Sequence, residues 1–231
     1  LPVILVNKDF TKEKDMLKIF NKLTIVGAAA LILGICLAVA GVKELIYINN
    51  PAVNIYETTD WSVLENGTHI TTELDYIETF FYHRYNNKTG EVAARAYLVP
   101  NLVFTEEGVY IEEYMGVMVK AADGFESYDA AVQNSMKWWN DYTGEVDFPR
   151  PTIKIDGYLR KMKEVEYESL VKYISYMWNI SEQEAKEYIC PYMIINCDTK
   201  ETKKGILGAG GIMAIGLATV LWGVISGLRR R

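Results

Sequence analysis

Two stretches without a single charge decide what this chain can be. Residues 23–42, LTIVGAAALILGICLAVAGV, run for 20 residues, and residues 205–228, GILGAGGIMAIGLATVLWGVISGL, run for 24. A helix rises about 1.5 Å per residue, so about 20 residues cross the roughly 30 Å hydrocarbon core of a bilayer. Inside that core no water serves the backbone, and a helix satisfies its own amides and carbonyls. Soluble helices usually keep a polar face; these two have none. The chain therefore reads as a basic segment at 1–22, a transmembrane helix at 23–42, a water-facing domain at 43–204, a second transmembrane helix at 205–228 and a basic tail at 229–231. The lipid bilayer is its first expected partner. A cleaved signal is the competing reading of the first stretch, because Ala38-Val39-Ala40 has the small-x-small form of a cleavage site. The apolar run exceeds the roughly 7–15 residues usual for a signal core, which favours an uncleaved anchor.

Sidedness follows from how charge is distributed, which the overall net of −6 conceals. Residues 1–22 hold five lysines against three carboxylates, and the tail is Arg229-Arg230-Arg231. Residues 43–204 hold 16 basic against 27 acidic side chains, a net of −11. Short basic flanks stay in the cytoplasm, whereas long domains translocate largely regardless of their charge. Both termini are expected in the cytoplasm and the domain outside it, in a multi-pass protein of the plasma membrane. Lys200, Lys203 and Lys204, just ahead of the second helix, oppose this and are outweighed. An acidic domain repels nucleic acid, which removes that class of partner.

Outside the cytoplasm the domain's two thiols, Cys190 and Cys197, are expected to form a disulfide across PYMIIN. Two buried thiols are the alternative. Cys36 falls in the first apolar stretch, where it packs as a small hydrophobe. Sequons at Asn66, Asn87 and Asn179 matter only in a eukaryotic secretory pathway.

Within the domain, apolar–polar alternation predicts strands and 3.6-residue spacing predicts helices. Residues 53–57 form a short candidate strand. Residues 72–85, TELDYIETFFYHRY, are aromatic-rich, a strand or a helix by pattern, and end at Asn86-Asn87-Lys88-Thr89-Gly90, a turn by composition; with 91–99 they read as a hairpin. Residues 108–121 give a strand broken or bulged at Gly116. Helices are expected over 127–142, 164–178 and from the capping box Ser181-Glu-Gln-Glu184 toward Ile189, and short strands at 152–158 and 193–195. The sum is an α+β domain, with a mixed or antiparallel sheet of about five strands and about three helices, flanked by two transmembrane helices.

Little in the composition carries chemistry. His69 and His83 are the two histidines, and no nucleophile elbow, phosphate loop or zinc-binding helix motif accompanies them. Cys-x6-Cys lacks zinc spacing, so neither metal nor cofactor is expected. Adjacent residues on a strand point to opposite faces, so Glu106-Glu107 and Glu112-Glu113 read as solvated pairs. The basic cluster Arg150, Lys154, Arg160, Lys161 and Lys163 is neutralised by Glu164, Glu166 and Glu168. Trp138-Trp139 and the many tyrosines serve a core or an interface equally well. Small residues recur in the apolar helices instead. Gly27, Ala30, Gly34 and Ala38 form one stripe, Gly210, Ala214 and Ala218 a second, and Gly216, Gly223 and Gly227 a third containing a GxxxG match. Such stripes let helices approach closely in lipid, either within one chain or between copies in a homo-oligomer.

The plan of lysine-rich start, membrane helix, α+β domain, membrane helix and basic tail resembles small uncharacterised membrane proteins of Gram-positive bacteria. Tyr97-Leu98-Val99-Pro100, Gly116-Val117-Met118-Val119 and Gly157-Tyr158-Leu159 with Met162 look like the recurring strand ends of such domains. The resemblance carries no assigned activity and transfers no functional residue. The expected function is non-enzymatic: an extracytoplasmic interaction domain, acting as accessory or structural subunit of an envelope, transport or secretion complex with another membrane protein. A sensor working through a separate partner, or a membrane-bound hydrolase, are the alternatives.

Overall fold

A computed structural model of the chain describes residues 22–58, 60–141, 143–149, 153–197 and 199–229. The segment 1–21, Arg150 and the last two arginines, to which the sequence analysis assigned charge roles, lie outside the described residues. In chain order the elements are α1 (Lys22–Ile48), β1 (His69–Leu74), β2 (Thr79–Tyr85), β3 (Val92–Thr105), β4 (Gly108–Lys120), α2 (Glu126–Trp139), β5 (Ile153–Lys161), α3 (Glu164–Trp178), α4 (Glu182–Ala185), β6 (Ile189–Asn196) and α5 (Thr199–Arg229), joined through short 3-10 turns. They form two compact units, one helical and built from α1 through Leu45 with α5, the other the sheet-bearing unit Ile46–Asp198.

The helical unit is an antiparallel pair whose seam follows from small residues. The covered positions of α1 include Thr24, Gly27, Leu31, Gly34, Ala38 and Gly41, and those of α5 include Thr202, Ile206, Ala209, Met213, Gly216, Val220 and Gly223. Both sets alternate spacings of three and four, the heptad of a coiled seam. A Cβ on Gly27 would stand 2.8 Å from both Gly216 O and Val220 N, and one on Gly216 would stand 2.7 Å from Leu31 N. Backbone therefore meets backbone there. The Thr202 hydroxyl donates to Glu44 at 3.3 Å toward the other end of the pair. The remaining surface is bare hydrocarbon: within the apolar stretches only 11% of α1 and 17% of α5 is buried. A core helix of a soluble protein would be mostly covered. These two helices are long and apolar enough to cross a membrane.

The sheet unit is α+β, with a six-stranded mixed sheet in the order β1-β5-β6-β4-β3-β2. All neighbours are antiparallel except β4 and β6, which are parallel. Among the described residues the α-helices number five, more than the about three expected, because the long apolar pair is counted with the three of this unit. The central strands are covered on both faces, and strict alternation sorts their side chains. Tyr97 and Val99 of β3 and Met115, Val117 and Val119 of β4 join Tyr128, Ala131 and Val132 of α2. Ala94, Ala96 and Leu98, with Tyr114 and Met118, join Leu170, Val171 and Ile174 of α3 on the opposite face. A strand buried on both sides has no polar face to reveal it, which is why β4 and β6 read as nearly continuous apolar runs.

Several local expectations shift. Residues 72–85 are not one segment: they end β1 and begin β2, at opposite edges of the sheet. Five strand spacings of about 4.8 Å separate those edges, roughly 24 Å, whereas the link Asp75–Glu78 spans at most about 18 Å. The sheet must therefore curl until its edges approach. Residues 53–57 supply a single bridge, Val53 to Ile70, and a 3-10 turn in place of a strand. β4 runs through Gly116 unbroken, and the irregularity falls in its pairing with β6 between Tyr114 and Gly116. The capping box at Ser181 forms as read, but α4 lasts one turn before a 3-10 turn leads into β6. Gly67, at φ +93, lies under the Tyr47 ring, where any Cβ would collide with it.

Candidate functional site

The edge where β2 begins is also where both covering helices end, and a pocket of about 410 Å³ opens between them. Its walls come from four elements. The last turn of α2 brings Met136, Trp139 and Asn140, and the last two turns of α3 bring Tyr173, Met177 and Trp178. β4 adds Ile111 and Tyr114, and the link into β2 adds Tyr76, Glu78 and Thr79. The rings meet edge to face. Tyr114 and Trp178 lie 5.9 Å apart at 70°, and Tyr76 and Trp139 lie 6.4 Å apart at 68°. Perpendicular rings of this kind make the corners of a box.

One carboxylate sits in that box. Glu78 Oε2 is buried without a hydrogen-bond partner, and so is the Tyr114 hydroxyl. Among the described residues no lysine, arginine or histidine lines the pocket. Burial pushes the Glu78 carboxyl above its ordinary range, offset in part by the nearby Tyr114 and Tyr173 hydroxyls, of which Tyr114 is out of hydrogen-bond geometry. Burial and the Glu78 charge push the Tyr173 phenol up to about 12 and raise Tyr114 further. Helix C-termini carry partial negative charge from their unpaired carbonyls, and two final turns line this pocket. The Glu78 carboxylate and the two helix ends thus add negative potential at the site.

Of these residues only Trp139 and the tyrosines stand out in the sequence, as core or interface positions, and none as a binding site. Their signal was present: Glu78 stands inside DYIETFF, an acid among aromatics, where a strand reading treats it as a solvated position. The residues it did single out are placed elsewhere. His69 Nδ1 faces the Asn50 carbonyl and Nε2 the Asp156 carboxylate, each at 2.8 Å, so both ring nitrogens are engaged. Thr71 Oγ1, the nearest hydroxyl, is 3.5 Å from that same Nε2. A general base needs one nitrogen open toward its nucleophile, and His69 offers none. His83 lies against Phe80 and Tyr85, and burial with the Arg95 charge pushes its pKa down. Arg95 itself bonds Asp129 at 2.9 Å and stacks over Phe125. Of the basic cluster, Arg160 reaches Glu166 at 2.9 Å and Lys154 reaches Glu73 at 3.1 Å. Among the described residues no group of three or more His, Cys, Asp or Glu is arranged to hold a metal ion.

The expected disulfide is corrected. Cys190 and Cys197 are not joined. PYMIIN is no loop but the body of β6, and seven residues of strand separate two positions by roughly 23 Å. A bridge needs Cα atoms within about 7 Å. Cys190 is fully buried, and burial holds its thiol up at about 12, so it stays protonated at neutral pH. Alkylation of the denatured, unreduced protein is expected to modify both residues, read by mass spectrometry of the 189–198 peptide; a peptide recovered unmodified until reductant is added would contradict this. Of the helix-packing residues, Gly27, Gly34 and Gly223 are buried, Ala30 and Ala38 are half-buried, and Gly227 follows Gly223 one turn on along α5. Ala214 and Ala218 of the second stripe are exposed, with Gly210 half-buried.

No curated protein and no solved structure matches the chain. One family does, a domain of unknown function designated DUF8577, over residues 14–226. That span takes in α1, the whole sheet unit and nearly all of α5, so the unit shared within the family is the helix–domain–helix plan and not the domain alone. The chain belongs to the DUF8577 family.

Proposed function

We propose that the chain is a two-pass membrane protein whose domain lies outside the cytoplasm and binds a ligand or partner there, as an accessory subunit of an envelope, transport or secretion complex. The observation that carries this reading is the ring-walled pocket with a Glu78 carboxylate oxygen buried in it without a partner. Buried polar atoms normally find partners, and one left without invites a partner from outside the chain. The exposed apolar surfaces of α1 and α5 support the membrane part. The acidic domain between short basic flanks supports the orientation. The closed hydrogen-bonding of His69 argues for binding over hydrolysis.

Reporter insertion at the exposed Asn86–Gly90 turn tests the orientation, because that turn carries no buried side chain. A phosphatase that folds only outside the cytoplasm is expected to be active there, and a fluorescent protein at either terminus to be bright. The opposite pattern removes the proposal. Purification from mild detergent is expected to recover a second membrane protein with the chain; a lone monomer counts against the accessory role.

A further inference from the structure

We propose that the pocket between the ends of α2 and α3 is an aromatic cage for a quaternary ammonium group, with Glu78 as its counter-charge. This rests on reading the domain as a binding module and names the ligand of that module. The charge argument comes first. Glu78 Oε2 is buried and unpartnered, no cationic side chain among the described residues lines the pocket, and two helix C-termini add negative potential. A cationic ligand would supply the partner that this oxygen lacks and hold the carboxylate in its charged form.

The walls then choose the kind of cation. Tyr76, Tyr114, Trp139, Tyr173 and Trp178 present five aromatic rings, two pairs of them perpendicular. Ring faces attract cations through their quadrupole, and the attraction grows when the cation is desolvated. A primary ammonium brings three N–H donors that each need an acceptor. The acceptors at hand are the Glu78 carboxylate, a few hydroxyls and the Asn140 carbonyl, whose amide nitrogen donates to Met136 O at 2.8 Å; most of the remaining wall is ring, thioether or aliphatic carbon. A trimethylammonium group has no N–H to satisfy and covers its charge with methyl groups. Met136, Met177 and Ile111 suit those methyls, and about 410 Å³ leaves room for a short polar tail.

Choline chloride titrated calorimetrically into the full chain in maltoside micelles tests this. Saturable binding in roughly the 0.1–1 mM range is expected, ordinary for so small a ligand. The neutral isostere, with carbon replacing the quaternary nitrogen, is expected to bind at least about tenfold more weakly, because ring quadrupole and carboxylate both act on charge. Glu78→Gln keeps the shape and is expected to weaken choline by about tenfold or more, leaving the isostere unchanged. Trp178→Leu, at a half-exposed wall position, is a second variant expected to weaken choline without unfolding the domain. Glycerophosphocholine separates two sources: binding as tight as choline assigns a lipid headgroup, and binding of choline alone assigns a free organic cation. Equal affinity for choline and its isostere, or no saturable choline binding by about 10 mM, overturns the cage. A partner recovered from detergent alongside failed choline binding overturns the ligand while the interaction-domain reading stands.

Discussion

Trp61→Ala is expected to cost the domain about 4 kcal/mol, in the range measured for large aromatic truncations in a core. Trp61 is completely buried and its indole N–H donates to the Ile55 carbonyl at 3.0 Å. It packs with Ile55, Leu64, Ile70 and Cys190 on the α2 side of the sheet. Alanine removes the ring, leaves a cavity that the surrounding strands are too rigid to fill, and strands one buried carbonyl. Domains of this size are stable by only about 5–15 kcal/mol, so the loss consumes much of the margin. Thermal unfolding of the full chain in detergent, followed by far-ultraviolet circular dichroism, is the measurement. Trp61→Phe retains most of the apolar volume and is expected to cost less than half as much. An alanine variant melting with the wild type would mean that the 53–64 segment contributes nothing to the core.

Gly27→Val is expected to separate α1 from α5, at a cost of about 2–3 kcal/mol or more. The new Cβ would stand 2.8 Å from Gly216 O and Val220 N, and no rotamer relieves a clash with backbone. Van der Waals packing holds such a pair in lipid, because leaving the seam gains no hydrophobic penalty to resist it. Gly211→Val provides the control, since a Cβ there meets nothing within 4 Å. Unfolding in mixed micelles with rising sodium dodecyl sulfate, followed by the emission of Trp222 on α5, is expected to shift to lower detergent fraction for Gly27→Val and to stay for Gly211→Val. Equal curves for both would show that the seam is not where the pair is held.

How much of this was legible in the sequence depended on whether the signal was local. α3 was read to the residue, 164–178, because one covered face gives the 3.6-residue pattern and Glu166 anchors its first turn through Arg160. The two apolar helices announced themselves by the absence of charge, though both run on past it, α1 to Ile48 and α5 back to Thr199. The hairpin of 72–85 with 91–99 forms through 79–85, but 72–74 belong to β1, because strand pattern reports pleat and not partner: Leu74 and Thr79 both alternate correctly while belonging to opposite edges. Of β6 the pattern gives only the end, 193–195, as a strand, and the two thiols of the domain suggest a bridge across it; that both belong to one extended strand between β4 and β5 is not a local signal. The pocket was the least legible, since Glu78, Tyr114, Trp139 and Trp178 converge from four elements and share no spacing along the chain.

The short link from β1 to β2 also sets an order of assembly. β2, β3 and β4 are successive hairpin neighbours and can pair as soon as they leave the ribosome, whereas β1 finds its neighbour only when β5 arrives some 80 residues later. Contacts so distant along a chain are slow to form. During synthesis the His69–Leu74 strand therefore waits with only the single bridge from Val53 to hold it, and the nascent chain must be kept from aggregating through that strand until β5 has followed it.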